Sequence, residues 1–123
     1  MHCEPMIAVA DVAASARWYV ELLGADNDHG REDFDRIVAD GRVLLMLHRL
    51  EGAEHGLAVD VTSPIGNGVL LWVFVADLDT VYERARAIAA TVVVEPHRSP
   101  QAGWREFTVQ DPDGYRIAIA AWE

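Results

Sequence analysis

Hydrophobic and polar positions follow the same order twice along this chain. In each half an apolar run ends in the tripeptide Val-Ala-Asp, an amphipathic segment follows, and a turn then leads into another apolar run. The copies that precede the amphipathic segments end at Asp11 and Asp77, and a third Val-Ala-Asp, at residues 38–40, stands at the turn of the first half. Self-similarity of this kind is the signature of an internal duplication. The pattern therefore predicts two related halves, each too short to bury both faces of a sheet alone.

The segments after the tripeptides are predicted to be helices, at residues 13–23 and 78–90. Asp11 and Asp77 are natural N-caps, since a carboxylate accepts hydrogen bonds from the first free amides of a helix. Gly24 ends the first helix in the usual way. The apolar positions at helical spacing are Ala16, Tyr19, Leu22 and Leu23 in the first helix, and Val81, Ala85, Ile88 and Ala89 in the second.

The remaining apolar runs are predicted to be strands. Asp40-Gly41 and the Asp-Pro-Asp-Gly segment at 111–114 are typical of turns between antiparallel strands. The predicted strands are 6–9, 34–39 and 42–47 in the first half, and 69–75, 92–95, 107–110 and 116–121 in the second. The chain is thus expected to be one α+β domain of two tandem βαβββ modules, residues 1–50 and 68–123, joined by a linker at 51–67.

Composition narrows the function classes. The ten basic residues are all arginines and are scattered, and the formal net charge is −10, which argues against a nucleic-acid-binding surface. No apolar run approaches the roughly 20 residues that span a bilayer, and the first residues lack the features of a signal peptide. Cys3 is the single cysteine and cannot form an internal disulfide. A cytoplasmic protein without a nucleic-acid or membrane partner is expected.

Four stretches carry a resemblance to a known family. They are residues 9–19, Leu22-Leu23-Gly24, residues 75–78 and the Asp-Pro-Asp-Gly-Tyr-Arg-Ile segment at 111–117. In this order and spacing the chain resembles the vicinal-oxygen-chelate superfamily, which includes glyoxalase I, bleomycin-resistance proteins and extradiol dioxygenases. The resemblance implies paired βαβββ modules whose curved mixed sheet encloses a cleft, usually in a homodimer. In the enzymes of this group, one His, Gln or Glu from the first and last strands of each module holds a divalent metal.

The resemblance also locates the four metal-ligand positions in this chain. Counted from the helix-entry valines and the turn glycines, they are Glu4, Leu45, Leu70 and Ala118. A divalent cation needs several oxygen or nitrogen donors, and one carboxylate with three aliphatic side chains does not provide them. No metal and no other cofactor is therefore predicted, and the likeness is greatest to the metal-free, bleomycin-resistance-like branch.

Other reactive residues form weaker patterns. His48, Glu51, Glu54 and His55 lie in a stretch that is typical of a solvated linker, and His2, Cys3 and Glu4 lie at a terminus that is expected to fray. His29 and His97 are single histidines near turns, and neither Ser15 nor Ser63 has a neighbouring base. A loop could still fold the first group round a metal, and that alternative stays open.

Strand alternation predicts what the cleft offers instead. The positions that alternate with the helix-facing ones are Leu70, Trp72, Phe74, Trp104, Glu106, Thr108, Arg116, Ala118, Ala120 and Trp122. This face is aromatic and apolar, with few polar groups, which is a composition that ligand pockets often have. The predicted ligand-binding residues are Trp72, Phe74, Trp104, Glu106, Arg116 and Trp122. The aromatic residues among them are equally suited to a core or a dimer interface.

The favoured hypothesis is a metal-independent protein that binds a small hydrophobic, aromatic or cationic molecule in the clefts of a homodimer. Stacking on Trp72 and Trp104 and charge pairing with Glu106 are expected to hold the ligand. One alternative is a lyase, isomerase or dioxygenase of the same fold, with a displaced metal site that uses Glu4, His48 or Glu106. Another is a non-catalytic dimeric partner or regulatory module. The residues favour a binding protein over an enzyme and name neither the ligand nor a reaction.

Overall fold

The computed structural model of the chain describes residues 1–51, 56–57, 59–100 and 102–123. The chain divides into two compact units, Met1–Ser63 and Pro64–Glu123, called here the first and second modules. Their boundary falls within the stretch 51–67 that the sequence predicts as a linker. Within the described ranges, neither helix has the length and apolar character needed to cross a membrane.

Both modules have the same order of elements. The first contains β1 (Met6–Val9), α1 (Val12–Leu23), β2 (Asp26–Asn27), β3 (Phe34–Ala39) and β4 (Arg42–Arg49). The second contains β5 (Leu70–Phe74), α2 (Leu78–Ala87), β6 (Thr91–Arg98), β7 (Trp104–Gln110) and β8 (Arg116–Trp122). The four-stranded mixed sheets run β1-β4-β3-β2 and β5-β8-β7-β6. This arrangement of two βαβββ modules confirms the predicted α+β fold, and only the short strand β2 has no counterpart among the predicted strands.

The two helices begin with the same backbone geometry. Asp11 has φ −135° and ψ 103°, and Asp77 has φ −134° and ψ 103°. Each carboxylate accepts a hydrogen bond from a backbone amide three residues later, at 3.0 Å from Ala14 and 3.2 Å from Thr80. A side-chain cap of this kind stabilises a helix start by about 1 kcal/mol. The shared cap gives the repeated Val-Ala-Asp a structural reason.

The two helices end differently. α1 ends at Gly24, whose φ of 64° is the left-handed conformation that glycine adopts without steric cost. α2 ends at Ala87, earlier than predicted, because Ala89 adopts the left-handed conformation (φ 53°) although it carries a methyl group. Ile88 and Ala89 therefore lie outside the buried stripe that the sequence predicts for them. The buried residues of α2 are Leu78, Val81 and Ala85.

Each helix packs on one side of its own sheet, and this helix-facing side holds the core of the module. Buried residues of the first core include Val9, Tyr19, Leu22, Ile37 and Leu47. Those of the second include Ala85, Phe107, Val109, Ile117 and Ile119. The opposite side of each sheet is called its open face.

A β-bulge in the first module corrects one predicted position. The pairing of β3 with β4 shifts next to the pair Ile37 and Leu45, so that Leu44 is an extra residue on β4. One extra residue moves the side chains beyond it to the opposite side of the sheet. Leu45 is 4% exposed on the helix-facing side, so its prediction as a metal-ligand position is wrong. Met46 lies on the open face instead.

A buried carboxylate organises the loop between β2 and β3. Asp35 is 1% exposed and accepts hydrogen bonds from the backbone amides of His29, Gly30 and Arg36 and from the side-chain amide of Asn27, at 2.8 to 3.0 Å. Burial raises the pKa of Asp35, but the hydrogen bonds outweigh burial and hold the pKa below its ordinary value. The carboxylate is therefore charged, and the loop conformation depends on that charge.

Candidate functional site

Four aromatic side chains meet on the open face of the second module. Trp72 and Phe74 come from β5, Trp104 from the start of β7 and Trp122 from the end of β8. The register of β5 with β8 and of β8 with β7 places all four on one side of the sheet. These four residues are called the aromatic cluster. The structure thus brings together the four aromatic residues that the sequence predicts on this face.

Trp104 is the centre of the cluster. Its ring meets those of Trp122, Phe74 and Trp72 edge to face, at centroid distances of 4.9, 5.6 and 6.0 Å. Phe74 and Trp122 stack at 5.6 Å with 15° between their planes. Aromatic pairs in such geometries contribute about 0.5–1.5 kcal/mol beyond the area they bury. The rings therefore hold one another in place, while Trp72, Phe74 and Trp122 remain 49%, 48% and 66% exposed.

Small side chains form the floor under these rings. Ala118 and Ala120 lie on β8, between β5 and β7, and are 3% and 0% exposed. Ala118 pairs with Trp72 and Ala120 with Phe74 on the open face. Because a methyl group is small, the space above β8 remains available to the rings of the neighbouring strands. The result is an apolar surface with exposed ring faces, which suits a flat molecule.

Glu106 anchors the central indole. Its Oε2 accepts a 2.7 Å hydrogen bond from Nε1 of Trp104, and its Oε1 lies 3.3 Å from Nε2 of His97. Nδ1 of His97 lies 2.9 Å from the carbonyl oxygen of Glu95, so both ring nitrogens donate when the ring carries both protons. Each carboxylate oxygen of Glu106 thus has a partner inside the module. This geometry fits an anchor for Trp104 better than the charge pairing with a ligand that the sequence suggests.

His97 is the site residue that sequence reasoning missed. The predicted strand stops at residue 95, whereas β6 continues to Arg98. The pairing of β6 with β7 is irregular between Val94 and His97, and it places the imidazole beside Glu106. The sequence does signal the other contact, because Trp104 and Glu106 are two residues apart on one strand and share a face. A partner across an irregular strand pair cannot be found by counting.

The other end of the same open face is polar. Arg116 pairs with Leu70 on one side and with Gln110 on the other. These three residues line a groove of about 500 Å³, and residues 64–69 form most of the remaining wall. Arg116, which the sequence predicts as a ligand contact, therefore lies apart from the aromatic cluster but on the same face of the sheet.

Strand pairing identifies the superfamily's metal-ligand positions in this structure. Met46 pairs with Met6 as Ala118 pairs with Trp72, and Met6 and Trp72 each precede the helix-entry valine by three residues. The four positions are therefore Glu4, Met46, Leu70 and Ala118. One carboxylate, one thioether and two hydrocarbon side chains do not suit a divalent cation. The residues present do not fit the metal that the superfamily's enzymes use.

Displaced metal sites find no support in the rest of the described chain. Within residues 1–51, 56–57, 59–100 and 102–123, no group of three His, Cys, Asp or Glu side chains is arranged to hold a metal. His48 lies on the open face of the first module, is 2% exposed and donates through Nδ1 to the carbonyl oxygen of Arg49 at 2.7 Å. Glu54 and His55, which the sequence groups with His48, lie outside the described residues.

Comparison with known proteins agrees with this architecture. The family profile described as Glyoxalase/Bleomycin resistance protein/Dioxygenase superfamily matches residues 2–119. The chain therefore belongs to this superfamily. No curated protein gives a significant match.

Solved structures share the fold at low sequence identity. A glyoxalase-related enzyme from Fulvimarina pelagi superposes with a TM-score of 0.79 at 22% identity, over 98% of this chain and 88% of its own. A glyoxalase/bleomycin resistance protein/dioxygenase from Nocardioides superposes with a TM-score of 0.75 at 23% identity, over 99% of this chain and 83% of its own. TioX from Micromonospora sp. ML1 superposes with a TM-score of 0.74 at 19% identity, over 100% of this chain and 97% of its own. At these identities the likeness concerns the fold.

Proposed function

We propose that this protein binds a small planar aromatic molecule without a metal, as a sequestering member of its superfamily. The observation that carries the proposal is the aromatic cluster, which exposes three large rings on one side of a sheet. Large exposed apolar patches often mark a binding site for a ligand or for another protein. Because the rings already hold one another in place, little conformational freedom is lost when a ligand stacks on them.

The chemistry of the superfamily's metal-ligand positions supports the metal-free part. Glu4, Met46, Leu70 and Ala118 lack the donors that would polarise two neighbouring substrate oxygens through a cation. Glu106, the carboxylate nearest the rings, is occupied by Trp104 and His97. Its role in the proposal is to fix the orientation of the central indole. Stacking on the exposed rings then supplies most of the affinity.

Isothermal titration calorimetry with naphthylmethanol, a neutral planar probe, tests this function. Binding is expected in buffer with EDTA and without it, at the same affinity. Trp72→Ala is expected to weaken binding about tenfold, because one stacking partner is lost. Trp18→Ala, on α1 and outside the aromatic cluster, serves as the matched control and is expected to leave the affinity unchanged. Loss of binding in EDTA would contradict the metal-free part, and equal affinity of the wild type and Trp72→Ala would contradict the site.

A second candidate is a non-catalytic dimeric module whose aromatic cluster contacts another copy of the chain. Exposed aromatic residues favour this role as well, since they are enriched in protein interfaces. Multi-angle light scattering separates the two candidates. If the cluster is a dimer interface, Trp72→Ala lowers the mass from dimer to monomer. If the cluster is a ligand site, the mass stays unchanged while the affinity for naphthylmethanol falls.

A further inference from the structure

We infer that the groove beside Arg116 binds a carboxylate, so that the ligand is an aromatic acid whose ring stacks on Trp72. This inference rests on the proposed function and adds the chemical class of the molecule bound. It concerns the polar end of the open face, which the aromatic cluster does not occupy.

The lining of the groove selects for an anion. Its polar side chains are the guanidinium of Arg116 and the amides of Asn67 and Gln110, all of which donate hydrogen bonds. Among the described residues that line it, none carries a carboxylate, although the chain has 20 acidic residues. Arg36 and Arg105 are paired with aspartates, whereas Arg116 is exposed and has no acidic partner in the described part of the second module. The groove is thus a cationic spot on an acidic protein.

The wall of the groove is held in place by a backbone contact. A Cβ built at Gly66 would lie 2.6 Å from the carbonyl oxygen of Gly114, closer than real Cβ atoms approach. Gly114 itself has φ 105°, a conformation that L side chains rarely adopt. The loop before β5 therefore packs directly on the turn before β8. Because this wall is already fixed, little conformational entropy is lost when a ligand binds against it.

The spacing along the sheet connects the groove to the aromatic cluster. Arg116 and Leu70 form one row across the open face, and Ala118 and Trp72 form the next row on the same face. Rows two residues apart are ~6.6 Å apart along a strand. A ring on Trp72 and a carboxylate at Arg116 therefore fit into one molecule of the length of a naphthoate.

For binding at the groove, the charge of the nearby groups matters more than the net charge of −10 of the whole chain. At physiological ionic strength the Debye length is about 8 Å, so the distant acidic residues are screened. Asp111 and Asp113 lie closer, in the turn beside the groove, but neither is among the described residues that line it, and Oδ1 of the buried Asp111 accepts hydrogen bonds from the backbone amides of Asp113 and Tyr115. The charged group among the described lining residues is the guanidinium of Arg116. A single guanidinium matches a carboxylate well, because its planar fork pairs with both oxygens. A phosphate dianion would leave one of its charges without a partner. The arrangement therefore favours a carboxylate.

Calorimetry with three naphthyl probes of different charge tests the inference: naphthoate, naphthylmethanol and trimethyl(naphthyl)ammonium. The wild type is expected to bind naphthoate about tenfold more tightly than naphthylmethanol, the size of one charge-assisted contact. Arg116→Gln is expected to abolish this preference, because the amide keeps a hydrogen-bond donor but carries no charge. Arg86→Gln removes the same charge from the exposed side of α2 and is expected to keep the preference.

The outcomes separate the inference from the proposed function. Equal affinities for naphthoate and naphthylmethanol, or tightest binding of the ammonium probe, would overturn the carboxylate site and leave ring stacking intact. A preference for naphthoate that survives Arg116→Gln would overturn the role of Arg116. Absence of binding by both naphthylmethanol and naphthoate would overturn the function and the inference together.

Discussion

The two modules share a backbone and differ in what their open faces carry. The corresponding pairs, first module before second, are Met6 and Trp72, Ala8 and Phe74, Met46 and Ala118, and His48 and Ala120. The first module thus has two large side chains on its central strand. The second has alanines there and carries two of its aromatic rings, Trp72 and Phe74, on the edge strand β5. Caps and helix-facing cores repeat, and they determine the fold, whereas the open faces diverge, and we assign function to that divergence.

The largest expected effect concerns Asp35, a buried charge that has no charged counterpart at the corresponding position of the second module. Asp35 corresponds to Phe107, since each pairs with a buried residue at the same place on the last strand of its module. Asp35→Asn is expected to lower the free energy of unfolding by about 3 kcal/mol at pH 7, because the amide cannot reproduce the charge-assisted hydrogen bonds. Urea denaturation measures the difference, and Asp79→Asn, at an exposed position on α2, is the control.

The difference in unfolding free energy between the wild type and Asp35→Asn is expected to depend on pH. The folded-state pKa of Asp35 is below its ordinary value, so its stabilisation is complete above about pH 4 and is lost as the pH falls through the folded pKa. The gap in unfolding free energy between the wild type and Asp35→Asn should therefore narrow on acidification. A gap that is constant with pH would show that the carboxylate acts without its charge.

The second prediction tests the alanine floor, which distinguishes the second module. Ala120→Leu is expected to lower the free energy of unfolding by about 2 kcal/mol through overpacking and to abolish naphthylmethanol binding, because Phe74 and Trp104 must move. Near-ultraviolet circular dichroism should lose part of the coupled tryptophan signal. Ala87→Leu, exposed on α2, is the matched control. Retained binding by Ala120→Leu would mean that the floor does not shape the site.

The third prediction concerns the anchor of Trp104. Glu106→Ala is expected to cost about 1 kcal/mol of stability and to shift the indole N–H resonance of Trp104 upfield, as its hydrogen bond is lost. Glu106→Gln keeps an acceptor and should give an intermediate shift. Glu83→Ala, on the exposed side of α2, should give none. An unchanged Trp104 resonance in Glu106→Ala would rule out the anchoring role.

The smallest effect is expected at the ends of the two helices. The residue in the left-handed conformation is Gly24 in the first module and Ala89 in the second. Ala89→Gly should raise the free energy of unfolding by about 0.5 kcal/mol, because glycine relieves the left-handed conformation. Gly24→Ala should lower it by about 1 kcal/mol for the same reason. Thermal unfolding followed by circular dichroism measures both. If Ala89→Gly were destabilising, the strain assigned to Ala89 would be absent.

Most of the fold could be predicted from the sequence because its determinants are local. Asp11 and Asp77 cap their helices through amides three residues away, and the alternation of β5 and β8 holds without interruption, so Trp72 and Trp122 are found on the predicted face. Local patterns of this kind do not depend on distant parts of the chain. The aromatic part of the candidate site was therefore within reach of the sequence.

The parts that could not be predicted depend on strand pairing. An extra residue at Leu44 reverses the faces of β4, and counting from the turn then selects Leu45 instead of Met46. An irregular register in β6 brings His97 to Glu106. The irregularity in β4 has no local signal such as a glycine at the bulge. The irregularity in β6 contains Pro96, and a proline within a strand is typical of a bulge or an edge strand, but it does not identify the residue across the irregular pair. The groove beside Arg116 likewise depends on the packing of Gly66 against Gly114, which are far apart in the sequence.

The contrast between the modules is tested most directly by the four indole N–H signals of the protein. Three belong to Trp72, Trp104 and Trp122 in the aromatic cluster, and the fourth belongs to Trp18 on α1, which serves as an internal control. Two-dimensional ¹⁵N NMR during titration with naphthylmethanol in EDTA should shift the three cluster signals and leave that of Trp18 in place. Shifts confined to Trp18, or no shift in any of the four, would contradict a metal-independent aromatic site on the second module.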